Sequence, residues 1–150
     1  MQQNLYTPSL ADGEVSKSKS FEVGQLFIVA ILGGIIAIAV LGIRNAKWLH
    51  VEKKYIHILT AVSVVLYVCK LGLVYAITHQ IIDMDEAFIK LIGRLFGAVC
   101  FFVYFAFLKR PFNDHKVLDG TTESLIGPGL TWCIIAILID GLLNAFVGAL

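Results

Sequence analysis

The sequence predicts an all-α protein, a four-helix transmembrane bundle with a polar N-terminal tail. Three observations carry that prediction. Of the 150 residues, 58% are hydrophobic and only 15% charged, whereas a soluble domain is about half apolar and about a quarter charged. The mean hydropathy of +0.82 is gathered into long apolar runs, which excludes a water-soluble globule and a disordered chain alike. Those runs are continuous, without the alternation of membrane barrel strands, and helices are the other structure whose backbone is satisfied in lipid. Length sets the number of crossings. Each needs roughly 20 apolar residues, so four fit into the chain with short loops and one tail. A net charge of +1 gives no clustered cationic surface for nucleic acid.

Residues 1–22 are polar, with Pro8, Gly13 and four serines, and read as a flexible tail. The remainder, 23–150, reads as a single membrane domain. Its first span, about 23–43, contains no charge. A rival reading, a signal peptide cleaved at Ala37-Ile38-Ala39, is disfavoured by the acidic residues before the run and by its length. A basic loop, 44–54, leads into the second span at about 55–77, which contains Lys70. The acidic connection holds Asp83, Asp85 and Glu86. The third span, about 87–108, carries Lys90 and Arg94 in its first turns. A loop with Pro111 and Gly120 follows, and the fourth span is about 125–150. Gly127-Pro128-Gly129 reads as its start, in preference to a break.

Lysine and arginine in short loops set orientation. Arg44, Lys47, Lys53 and Lys54 lie in the first loop, and Lys109, Arg110 and Lys116 in the third. The second loop has none. Loops 44–54 and 109–124 are therefore expected to be cytoplasmic, with both termini outside. Lys17 and Lys19 in the tail dissent.

Lys70, Arg94 and Asp140 fall inside spans, where each costs about 2.5–3.5 kcal/mol on insertion scales. All three lie roughly 10–12 Å below the outer surface at the helical rise per residue. The expectation is an intramembrane charge cluster, with Asp140 as counter-ion to Arg94, Lys70 or both. Asn144 is one turn beyond Asp140 on the same face, and Glu86 and Lys90 are spaced to extend the network. A structural ion pair and simple snorkelling to the interface are the plainer readings.

Small residues recur at four-residue spacing, which lets helices approach closely in lipid. Gly93 and Gly97 do so on the third span, and Gly33 and Gly34 with their partners Ala37 and Ala30 on the first. Gly141, Ala145 and Ala149 do so on the fourth. Packing within the chain is preferred over dimerisation. Trp48 and Tyr55 flank the inner interface as belt residues. Cys69, Cys100 and Cys133 read as buried small side chains. His50, His57, His79 and His115 do not converge at one depth, so no metal or other cofactor is expected. No phosphate-binding loop, nucleophile elbow or metalloprotease motif is present, and enzymatic activity is not expected.

Asn4-Leu5-Tyr6-Thr7-Pro8, the Leu32-Gly33-Gly34 stretch of the first span and Asn45-Ala46 after it resemble a group of small bacterial multi-spanning membrane proteins. Those proteins open on N-L-Y-S-P and carry G-G in the first hydrophobic segment. Here Ile35 follows Gly34 where proline is usual in that group. The resemblance implies a compact helical bundle in a bacterial inner membrane, and it transfers no catalytic or binding residue.

Three roles remain open at this level, one of them a membrane enzyme, for which the sequence offers no nucleophile or metal constellation. The first is a non-enzymatic interaction, assembly or immunity-type protein of the inner membrane, with the lipid bilayer, another membrane protein or a second copy as partner. The alternative is a small transporter or channel using Lys70, Arg94 and Asp140. The lack of an obvious helix break in mid-membrane disfavours the alternative in the sequence alone.

Overall fold

The computed structural model describes residues 19–83, 85–117 and 121–149, without the side chains of Glu86, Ala87 and Lys90. The chain runs β1 (Lys19–Phe21), α1 (Gln25–Trp48), α2 (Lys53–Thr78), α3 (Glu86–Val117), β2 (Thr121–Glu123) and α4 (Ile126–Gly148). All four helices are long and apolar enough to cross a membrane, so the all-α, four-helix bundle stands. Outward-facing Val65, Val68, Leu130, Leu138 and Leu142 are each more than half exposed. Such a band is solvated by lipid chains and not by water.

The first helix does not run straight. Gly34 interrupts it with φ 66° and ψ −156°, a conformation open essentially to glycine alone. Two arms result, residues 25–33 and 35–48, and the second turns back along the first. Three contacts establish the reversal. Phe21 N–H donates to Asn45 Oδ1 at 2.8 Å, although a straight helix would separate Asn45 from Gln25 by roughly 30 Å. A Cβ built on Gly33 would lie 2.5 Å from that of Ala37, far inside the roughly 5–6 Å usual at that spacing. Phe27 of the first arm meets Phe101 of α3 at 5.0 Å between ring centroids, while Gly42 of the second arm abuts the ring of Tyr104 one turn further along α3. Both arms thus flank α3 at one level. The arms are about 13 and 21 Å long, each shorter than a hydrocarbon core of about 30 Å.

The hairpin returns the chain to its starting end, where a small polar clasp closes the bundle. Asn45 Oδ1 also accepts from the Ser20 hydroxyl at 3.0 Å, and Asn45 Nδ2 donates to the Phe21 carbonyl at 3.2 Å. Phe21 packs on Trp48 at 4.8 Å, and the Arg44 guanidinium lies over Trp48 at 4.6 Å. Strand β1 pairs in parallel with β2, Ser20 opposite Thr122. The pairing is parallel because each strand leads directly into a helix rising the same way. Lys19 and Glu123 close it with an exposed ion pair at 2.6 Å, a contact of small energetic weight.

From β2 onward α4 follows the first arm of α1 in steady register. Leu125 N–H donates to Gln25 Oε1 at 3.4 Å, Gly129 faces Val29, and Cys133 faces Gly33. Opposite them, Ser63 Oγ and Tyr104 OH lie 3.0 Å apart and buried, joining α2 to α3. Three expectations change here. Residues 19–21 belong to a strand with Ser20 and Phe21 fully buried, so the tail gives way to ordered structure before residue 22. Strand β1 also lies at the same end of the bundle as loops 44–54 and 109–124, not at the opposite one, because α1 doubles back. The third helix extends to Val117 through Pro111, past the expected end near residue 108. Its last turns bury Phe112 and His115, and His115 Nε2 lies 3.3 Å from the Thr121 carbonyl oxygen of β2. Residues 1–18, including the Asn4–Pro8 stretch and Lys17, lie outside the described residues.

Candidate functional site

The tip of the hairpin, Gly34, meets the charged residues of the other three helices. Lys70 of α2 and Asp140 of α4 form an ion pair, with Lys70 Nζ 2.6 and 2.5 Å from Asp140 Oδ1 and Oδ2. Tyr67, one turn before Lys70, donates its hydroxyl to Oδ1 at 3.1 Å. Asn144, one turn beyond Asp140, donates Nδ2 to Oδ2 at 3.4 Å. Helical periodicity explains why these groups converge, since residues three or four apart share a face. The pair is largely shielded, with side-chain exposure of 15% for Lys70 and 28% for Asp140. Asn144 Oδ1 is buried without a partner among the described residues.

Two cavities meet at the pair. One, of about 230 Å³, lies between residues 31–36 of the hairpin tip, Gly93, Arg94, Lys70 and Asp140. The other, of about 260 Å³, extends from Lys70, Gly93 and Asp140 towards Ile77 and Asn144 at the end away from the clasp. A single water needs only about 10–15 Å³ of such space together with polar partners, so both have room for several. Irregular backbone at membrane depth is tolerated where it lines a cavity of this kind. A helix break there presents backbone N–H and C=O groups that a continuous helix would consume.

Of the expected charges the structure brings Lys70 and Asp140 together, with Asn144 beside them, while the exposed Arg94 lines the cavity with no ion-pair partner among the described residues. The suggested Glu86–Lys90 extension lies outside the described side chains. The small residues divide into three groups. Gly97 packs α3 on α1, since a Cβ there would run into the Ala30 carbonyl oxygen, and Gly33 packs α1 on α4. Gly34 makes the turn, and Gly93 opens onto both cavities, where an added Cβ would meet nothing within 4 Å. Gly141 and Ala145 are exposed, and a Cβ on Gly141 would also meet nothing within 4 Å. The fourth-span stripe is therefore exposed among the described residues, because α4 turns its other face inward. Cys100 and Cys133 are buried as expected, whereas Cys69 is exposed.

Tyr67 and Gly42 are residues that the sequence alone does not single out, and Asn45 enters it only through the resemblance. Tyr67 is signalled only by its position three residues before Lys70. Comparison with family models, curated proteins and solved structures returns no match.

Proposed function

We propose that this protein is a small, non-enzymatic transporter or channel whose solute reaches the Lys70–Asp140 pair through the cavities above the hairpin. The observation that carries this is the helix break at Gly34, placed beside an ion pair that adjoins open space. Broken helices whose ends face a polar site at membrane depth are the common plan of transport sites. An ion pair serving only to fix packing needs no adjoining space, and this one has space on two sides. The same break is what moves transport ahead of the interaction, assembly or immunity role.

The bilayer setting follows from charge. We read α2, α3 and α4 as crossings and α1 as a re-entrant hairpin in a bacterial inner membrane. Lys19, the loop at 44–54 and the loop at 109–124 then lie together on the cytoplasmic side, with the C-terminus outside. Lys19 and the lysines and arginines of the two loops then agree with the positive-inside rule, and Lys19 no longer dissents. The partners are the lipid bilayer and the solute, with a second copy of the chain as the remaining candidate.

Both parts are open to test. Purified protein in liposomes is expected to raise the permeability to at least one small polar solute, and Asp140→Asn to abolish the increase. Folded protein that passes no small solute sinks the transport reading. For topology, single cysteines at Glu22, Thr122 and Ala149 in a cysteine-free background are treated with an impermeant maleimide on intact cells. Only Ala149→Cys should react. Labelling of Glu22→Cys and not Thr122→Cys would restore a fully spanning first helix.

A further inference from the structure

Charge accounting around the hairpin tip points to the class of solute, and the inference rests on the transport site proposed above. Asp140 is saturated. Its two oxygens accept from Lys70, Tyr67 and Asn144, which leaves no carboxylate oxygen free to ligate a cation. Lys70 is neutralised by the same contact. Arg94 is then the one ionised group lining the cavity without a counter-charge among the described residues. Beyond the pair and the uncharged Asn144, the second cavity is lined by apolar side chains, Leu73, Val74, Ile77, Ile89 and Ile92. Arg94 is an exposed residue at the mouth of the cavity; an uncompensated guanidinium on a membrane helix is costly and is relieved by an anion, for which its planar donor fork is suited. The cavity floor is backbone at a helix break, and Gly93 keeps the α3 wall bare beside Arg94.

We propose that the cavity binds a small monoanion, such as a short carboxylate, against Arg94. The Lys70–Asp140 pair is the neutral wall of that site, and Tyr67 and Asn144 are positioning residues that hold Asp140 on Lys70. Cations are excluded by the net positive charge, and multivalent anions by the single free countercharge and the apolar surroundings. The two cavities share Lys70, Gly93 and Asp140, so an anion entering from the end away from the clasp passes the pair before it reaches Arg94.

The test separates binding from flux. Full-length protein in detergent is titrated with the choline salts of formate, acetate and lactate, and thermal unfolding is followed by tryptophan fluorescence. Stabilisation that rises with anion concentration is expected, with Arg94→Gln binding about ten- to a hundredfold more weakly and Arg94→Lys recovering part of the loss. Arg94 makes no hydrogen bond or ion pair among the described residues, so its replacement removes no such contact among them. In parallel, proteoliposomes are assayed for uptake of the same anions and of sodium, potassium and ammonium as HEPES salts. Anion binding dependent on Arg94 but without flux upholds the anion site and overturns the transport reading. Cation flux that needs Asp140 but not Arg94 upholds transport and overturns the anion site. Neither anion binding nor flux overturns both.

Discussion

The two ends of the bundle are built on opposite principles. At the clasp end the buried polar groups are matched. Asn45 joins Ser20 and Phe21, Ser63 meets Tyr104, and aromatic rings fill the remaining space. At the far end the polar groups are also paired, but around cavities, with Arg94 and Asn144 Oδ1 left over among the described residues. The hairpin connects the two designs. Its base is locked by the clasp, and its tip ends short of the far face and leaves a recess between α2, α3 and α4. The closed end supplies the rigidity that keeps an open end open, as a preorganised site requires.

The sharpest way to break this contrast is to unlock the clasp. Asn45→Leu leaves the Phe21 N–H buried without its Asn45 partner, while the Ser20 hydroxyl and the Phe21 carbonyl still hold each other at 3.0 Å. The orphaned donor costs about 1–3 kcal/mol and the two other lost hydrogen bonds about 0.5–1.5 kcal/mol each, so a loss of roughly 2–4 kcal/mol is expected. Denaturant unfolding in detergent measures it. A variant within about 1 kcal/mol of the native protein, less than one orphaned group costs, would show that the base is held elsewhere.

The hairpin itself comes next. Gly97→Ala drives a methyl group into the Ala30 carbonyl and should cost about 1–3 kcal/mol through overpacking. Gly34→Ala meets no atom within 4 Å, yet should cost about 1–3 kcal/mol because its backbone conformation is strained for any residue with a Cβ. The two are told apart by structure. Gly97→Ala should spread α1 from α3, whereas Gly34→Ala should disturb the tip and with it solute flux. Thermal unfolding with parallel flux assays reads both, and a harmless Gly34→Ala would argue against a turn at that position.

Much of this contrast is legible in the sequence, and the missing part has a definite cause. Hydropathy locates four helices, because long apolar runs have few alternatives in lipid. The shared depth of Lys70, Arg94 and Asp140 locates the site, because helical rise converts sequence offset into depth. Tertiary direction is what the pattern cannot give. An apolar run with Gly33-Gly34 in its middle has the same composition whether it crosses once or returns, since both forms bury the same side chains in lipid. Two signals point to the return: the lysines at 17 and 19 on the wrong side of a full crossing, and Asn45 at the end of an apolar run. Partner choice among charges is equally invisible. Lys70 wins Asp140 over Arg94 because Tyr67 and Asn144 hold the carboxylate on its side, a matter of helix rotation.

The ion pair provides a smaller and more discriminating test. Lys70→Met strands Asp140 beside the cavity. The cost should fall between that of an exposed pair and that of a fully buried one, about 1–3 kcal/mol. Adding Asp140→Asn should recover most of it, since Asn still accepts from Tyr67 and carries no charge. Flux should stay lost in the double variant. Stability and transport then part company, as they should for a pair retained for its site. If the double variant keeps full flux, the pair is only a packing device.

The smallest effect is expected at Gly93, and it is informative because Gly97 lies one turn away in the same motif. A Cβ on Gly93 meets nothing within 4 Å, whereas one on Gly97 meets backbone. Alanine is favoured over glycine in a helix interior by roughly 0.5–1 kcal/mol. Gly93→Ala should therefore leave stability unchanged or raise it by up to about 1 kcal/mol, while placing a methyl group in both cavities. Glycine at this position gives up that helical stability, and the space it keeps beside Lys70, Arg94 and Asp140 is the only return visible in the fold. Anion-dependent thermal shifts should fall in this variant even as its unfolding temperature holds or rises. A drop in stability comparable to that of Gly97→Ala would instead make Gly93 a packing residue, and the far end of the bundle as tightly built as the clasp.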